Sequence, residues 1–205
     1  AFSTNEEVPL IVAAPGVLGN DTDPDNTVAE PNFQTLSAFL VSGPSHGTVT
    51  LNQDGSFFYV PDPLFNSSPA TGGIIDSFTY RVWDGLLLSA PATVSITVNP
   101  VNHAPVARDD AYVSQEGGTL TVPAAGVLSN DYDPDNTAEN TMPQTLTALI
   151  VTNALHGTVA LNTDGGFTYT PNDPLYHGVD TFTYQAFDGS LKSNVATVTL
   201  FINSV

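Results

Sequence analysis

Gly16-Val17-Leu18-Gly19-Asn20-Asp21-Thr22-Asp23-Pro24-Asp25-Asn26-Thr27 returns 110 residues later as Gly126-Val127-Leu128-Ser129-Asn130-Asp131-Tyr132-Asp133-Pro134-Asp135-Asn136-Thr137, identical at 10 of 12 positions. A recurrence of this length marks a tandem array of one folding unit. Each copy carries three alternating aspartates, and an Asp-x-Asp-x-Asp run gathers oxygen ligands for a hard cation.

The register extends in both directions. Gln34-Thr35-Leu36 matches Gln144-Thr145-Leu146, His46-Gly47-Thr48-Val49 matches His156-Gly157-Thr158-Val159, and Asp54-Gly55 matches Asp164-Gly165. The offset then falls to 104, where Asp76-Ser77-Phe78-Thr79-Tyr80 meets Asp180-Thr181-Phe182-Thr183-Tyr184. The six extra residues of copy 1 fall in Pro63–Ile75, a Ser-, Pro- and Gly-rich stretch of the kind tolerated on surface loops. The expected domains are 1–103 and 104–205, each large enough for its own core. The stretch Pro100–Asp110 has no counterpart at either end, which suggests a piece of a longer array and accounts for the lack of a secretory leader.

Alternation with period two dominates. Val49/Leu51, Phe57/Tyr59, Phe78/Tyr80/Val82 and Ala92/Val94/Ile96/Val98 alternate with polar or exposed neighbours, and copy 2 repeats each run. Such alternation puts one face on a core and one in water. Asp54-Gly55 and Asp164-Gly165 read as hairpin turns. No stretch has a capped helical period. Roughly seven short strands per copy predict an all-β chain of two tandem β-sandwiches. Tyr80 and Tyr184 are placed to anchor a hydroxyl at a strand end, as in a tyrosine corner.

The charge is one-sided, with 21 acidic residues against 3 Lys plus Arg and a net charge of −18, divided equally between the copies. Such a surface repels nucleic acid and anionic lipid, and no run is apolar enough for membrane insertion. Solubility in a salty medium accounts for the charge as readily as ion binding does. There is no cysteine, so neither copy has a disulfide or thiol chemistry. Lys192 is the only lysine, and His46 and His156 lack the local partners a metal or catalytic role needs. The acids recur in both copies and sit in turns, which suits a scaffold better than a single active site. No enzyme is expected.

These motifs resemble the bacterial Ig-like, cadherin-like tandem repeats of giant secreted adhesins of the RTX type. The resemblance rests on Gly-Val-Leu-x-Asn-Asp-x-Asp-Pro-Asp, His-Gly-Thr-Val, Asp-Gly-x-Phe-x-Tyr-x-Pro, Asp-x-Phe-Thr-Tyr and Pro-Val-Asn-x-Ala-Pro-Val-Ala. It implies Greek-key Ig-like/cadherin-like sandwiches, Ca²⁺ at the domain poles, an extracellular or cell-surface location and a spacer role. Mapped onto this chain, it makes Asp21, Asp23, Asp131 and Asp133 the Asp-x-Asp element, with Asp25 and Asp135 beside them. Asp84 and Asp188 become partners from the late turn, and Glu6 and Glu116 the early-strand acids. Asn20, Asn130 and Asn102 offer further oxygens, while His103 stands where the family uses Asp. The implied partners are neighbouring repeats of the same chain, with a glycan or a host or cell-surface protein as the alternative target. In that alternative the module is adhesive, through loops such as Pro63–Ile75, or is an accessory domain of a secreted hydrolase. A plain solvated turn is the competing reading of every Asp-rich loop.

Overall fold

The computed structural model describes residues 1–25, 34–67, 73–136 and 144–205. They form two compact units, 1–101 and 102–205 less the undescribed stretch. Unit 1 lays down β1 (Phe2–Asn5), β2 (Leu10–Val12), β3 (Ser37–Ser42), β4 (Gly47–Leu51), β5 (Phe57–Pro61), β6 (Asp76–Trp83) and β7 (Ala92–Asn99). These assort into sheets ordered β1-β7-β6-β3 and β2-β5-β4. Unit 2 repeats the plan with β8 (Asp110–Gln115), β9 (Leu120–Val122), β10 (Thr147–Thr152), β11 (Gly157–Leu161), β12 (Phe167–Pro171), β13 (Gly178–Phe187) and β14 (Ala196–Asn203). Its sheets run β8-β14-β13-β10 and β9-β12-β11. The expected pair of seven-stranded sandwiches is therefore present. One pairing could not be read from the alternation: the first strand of each unit runs parallel to the last, Phe2 opposite Ile96 and Tyr112 opposite Leu200.

Each core is an aromatic stack that bridges the two sheets. Phe57 meets Phe2 and Phe78 edge-to-face at 5.0 and 5.3 Å, and Phe167 meets Tyr112 and Phe182 at 5.1 and 5.2 Å. Burying one such ring contributes about 2–3 kcal/mol. The Gly-Val-Leu motif has a steric cause. Gly16 has φ +52°, and a Cβ there would lie 2.0 Å from the carbonyl oxygen of Gly55 in the β4–β5 turn. The same carbonyl accepts the Val17 N–H at 2.9 Å. Gly126 and Gly165 repeat the contact in unit 2. The Asp-rich loop is thus pinned to the hairpin turn by two glycines.

A second device joins the hairpin to the sandwich. Asp180 is buried and accepts the N–H groups of Leu155 and His156 at 3.0 and 2.9 Å, the Tyr169 hydroxyl at 3.0 Å and its neighbour Thr181 N–H. Asp76 does the same for Ser45, His46, Tyr59 and Ser77. His46 and His156 stack on Phe65 and Tyr176 at 4.3 Å, a structural placement. Part of the Pro63–Ile75 loop belongs to the core. Phe65 and Ser67 are buried, and Ser67 exchanges hydrogen bonds with Val98. Residues 68–72 of that loop lie outside the described residues. Among the described residues no helix is long and apolar enough to cross a membrane.

Candidate metal centre

The Asp-rich loop follows a 3₁₀ turn and runs extended to a turn at Pro134-Asp135. Its three aspartates separate into two tasks. Asp131 faces the core: its oxygens lie 3.0 Å from the Tyr184 hydroxyl, and Oδ1 accepts the Arg108 N–H at 2.8 Å. Tyr184 also lies 2.7 Å from the Val127 carbonyl, so the expected tyrosine corner forms. Burial pushes the Asp131 carboxyl up, while the hydrogen bonds from Arg108 and Tyr184 oppose that shift. Asp110 also approaches Tyr184, at 3.3 Å, and burial pushes it up to about 6, with repulsion from Asp131 and Asp109 adding to the shift.

Asp133 and Asp135 lie at the opposite side of the loop, each 4% exposed, beside Asp188 at 9%. Asp133 Oδ1 accepts the Asp135 N–H at 2.8 Å, while its Oδ2 is buried without a hydrogen-bond partner among the described residues. Burial raises the Asp133 carboxyl, and repulsion from Asp135 and Asp188 adds to the shift, against the Asp135 N–H and the His103 charge. Burial acts on Asp188 in the same sense. There the N–H groups of Leu191 and Ser190 and the Asn102 amide outweigh it and hold the carboxyl below its usual range. Asp135 is gripped by His103, through the backbone N–H at 2.6 Å and through Nδ1 at 2.8 Å. Asn102 donates to Asp188 Oδ2 at 3.0 Å, and its Oδ1 accepts from Gln144 Nε2.

Of the expected residues the structure links Asp133 with Asp135 and Asn102 with Asp188. It directs Asp131 to Tyr184, and Asn130 to the Asp109 carbonyl at 3.1 Å. Glu116 sits at the other end of unit 2, where β8 and β14 finish. Its backbone pairs with Asn203, Oε1 accepts the Val205 N–H at 3.1 Å, and Oε2 is 3.3 Å from His177 Nδ1. Glu6 occupies the matching end of unit 1, buried, with its N–H on the Asn99 carbonyl and Oε1 accepting from Val101. Sequence reasoning missed His103 and Gln144 as members of this site. The signal for Gln144 was its repeat as Gln34, and for His103 its place where the resembled family uses Asp; the grip of His103 on Asp135, 32 residues away, leaves no local pattern.

In unit 1 the equivalent loop is more open. Asp23 Oδ1 accepts the Asp25 N–H at 2.9 Å, and Asp25 and Asn20 are exposed. Asp84 Oδ1 accepts the N–H groups of Leu87 and Leu86, which hold its carboxyl low. With its amide oriented so that Nε2 faces these acceptors, Gln34 bridges the two elements, donating to the Asp84 carbonyl and to Asp23 Oδ2, both at 3.1 Å. Asp21 takes the core role, accepting the Tyr80 hydroxyl at 2.8 Å.

The Asp133, Asp135 and Asp188 carboxylates offer the oxygen ligands that a hard divalent cation takes, and Asp133 Oδ2 is buried with no hydrogen-bond partner among the described residues.

Comparison with known proteins agrees with this architecture. Integrin beta-like protein C of Dictyostelium discoideum is 30% identical over 134 residues, covering 58% of this chain and 6% of that protein, so the chain spans a small fraction of that relative's length. The structure of human protocadherin-24 EC1-2 aligns over 90% of this chain and 86% of its own, with TM-score 0.55 and 13% identity. Human CDH23 EC21-23 aligns over 99% and 71%, with TM-score 0.51 and 18% identity. At these identities the likeness is one of fold. The sequence profile of the bacterial cadherin-like domain matches residues 1–100 and again 102–204, and the chain belongs to that family as two consecutive members.

Proposed function

We propose that the two domains are non-enzymatic, calcium-binding spacer modules in the stalk of a large RTX-type bacterial adhesin. Cadherin-like domains are extracellular adhesion or spacer modules, and the integrin-like name of the Dictyostelium relative agrees with adhesion. The observation that supports the metal is Asp133 Oδ2, buried, without a partner among the described residues and repelled by Asp135 and Asp188.

Asp133, Asp135 and Asp188 are the residues that would hold Ca²⁺ in this reading, and Asn102 would add an oxygen by turning its amide from Gln144. A bound Ca²⁺ supplies the positive charge that three crowded carboxylates lack. The chain does the rest. The Leu191 and Ser190 N–H groups orient Asp188, and the Asp135 N–H orients Asp133. His103 and Asn102 clip the segment that joins the two copies onto Asp135 and Asp188. Neutralising these acids stiffens that segment, and the same effect repeated along an array makes a rigid spacer whose partners are its neighbouring repeats.

The test is calcium titration by calorimetry on the wild-type chain and on Asp133→Asn. The reading expects binding at about 10⁻⁴ to 10⁻³ M, as in extracellular modules, and at least a tenfold loss in the variant. No heat of binding at millimolar Ca²⁺ sinks it.

A further inference from the structure

Unit 1 carries a surface that unit 2 does not. Arg81 and Trp83 project from β6 on the face opposite the buried Phe78 and Tyr80, and Phe39 of β3 is paired across from Arg81. With Leu40, Val41 and Leu88 they line a groove of about 360 Å³. Phe39, Leu40, Val41 and Leu88 are each 41–51% exposed, so the patch is open to solvent. Arg81 is the only Lys or Arg of residues 1–101. Its Nε is shut off from solvent and has no hydrogen-bond partner among the described residues, in a chain with 21 acids.

Unit 2 has Leu149, Gln185, Phe187 and Lys192 at the equivalent positions, in the same strand register and with the same bridge between positions 187 and 192 as between 83 and 88. There the polar group is satisfied within the domain: Gln185 Nε2 donates to the Ser193 carbonyl at 2.6 Å. The fold therefore requires neither the tryptophan nor the guanidinium. Both are among the residue types that dominate binding energy at protein interfaces.

We propose that this groove docks a heterologous protein segment that offers an aliphatic or aromatic side chain to Trp83 and Phe39 and a carboxylate to Arg81. The chemistry selects this occupant. A sugar has a hydroxyl on almost every carbon, and a lining whose polar side-chain groups are the Arg81 guanidinium and the Trp83 indole N–H would leave most of them unpartnered. Nucleic acid and anionic lipid are repelled by the acidic surface. A symmetric contact with a second copy would set like surfaces of two −18 chains together and leave each Arg81 without an acid from the patch. A carboxylate from a different protein supplies the opposite charge that this patch lacks, through the terminal guanidinium nitrogens.

The test uses a phage-displayed library of random linear peptides, selected on the full chain and measured by fluorescence polarisation. The comparison variant carries Phe39→Leu, Arg81→Gln, Trp83→Phe and Leu88→Lys, which give unit 1 the face of unit 2 with residues already compatible with the fold. Circular dichroism melting checks that it is folded. Selected peptides should place Asp or Glu within an apolar run, and should lose at least about tenfold in affinity on the fourfold variant and on Arg81→Gln alone. Four outcomes overturn the proposal: no selected peptide, peptides that bind the folded variant equally well, glycan-array binding lost in the variant, or self-association in sedimentation lost in the variant.

Discussion

The two Asp-rich loops are almost the same sentence, yet they end in different surroundings. In unit 2, Asp133 and Asp135 are nearly inaccessible and Asn102 and His103 lie against Asp188 and Asp135. In unit 1, Asp25 is exposed and Gln34 bridges Asp23 to the Asp84 turn. The loop thus sets out the acids, and the segment entering the domain closes the site over them. A pole of this type is completed from a distance, which gives each repeat a reason to depend on what comes before it.

Experiments that separate what the copies share from what divides them can be ranked by expected effect. The largest concerns shared structure. Asp180→Ala removes the acceptor for two part-buried N–H groups and the buried Tyr169 hydroxyl, and should destabilise unit 2 by about 3 kcal/mol in urea unfolding. Asp76→Ala should cost unit 1 about the same; a gap much beyond 1 kcal/mol between them would show that the copies do not use this carboxylate alike.

Calcium comes next. At tenfold excess over Kd an ion adds about 1.4 kcal/mol, and unit 2 should gain it more fully than unit 1. Trp83 is the only tryptophan, so its fluorescence melt reports unit 1, and calorimetry follows both transitions. An equal rise in both transitions would break the contrast drawn between the poles.

A smaller effect is expected of Asp133→Asn in chelator. The folded carboxyl of Asp133 is raised, so its ionised form opposes folding at neutral pH, and that cost fades on acidification as the folded state takes up its proton first. The variant should be more stable than wild type by about 1 kcal/mol without calcium, and less stable than wild type with saturating calcium.

The smallest effect is at Asp110, raised to about 6. Its ionised form costs stability above the folded pKa, and the cost disappears as pH falls toward the unfolded value of about 4. Solvent access limits the gain from Asp110→Asn to about 1 kcal/mol or less at neutral pH, vanishing near pH 4. A stability difference that does not change between these pH values would remove titration from the account.

Much of the fold was legible because a core face writes itself as alternation. Phe57/Tyr59 and Phe78/Tyr80 alternate with exposed neighbours, and the paired Asp-Gly turns separate β4 from β5 and β11 from β12. The parallel partner of β1 was not legible, since contact between Phe2 and Ile96 depends on closing 94 residues of chain and leaves no local pattern. At the site, composition located the acids but not their division of labour. Asp131 and Asp133 look equivalent in a row of alternating aspartates, and only the position of Tyr184 in the finished core sends the first inward. Asp76 and Asp180 served as repeat markers. Their burial was hidden because an isolated Asp reads as surface until its four donors converge on it.

The parallel first and last strands govern how such a domain carries load. The chain enters unit 1 at β1 and leaves at β7, so tension between the two ends slides these neighbours past one another. Sliding strains all their cross-links at once, whereas peeling would break them singly. Both units carry this clamp, Phe2–Asn5 on Ile96–Asn99 in unit 1 and Asp110–Gln115 on Val198–Asn203 in unit 2, so each domain meets tension with the same sliding geometry.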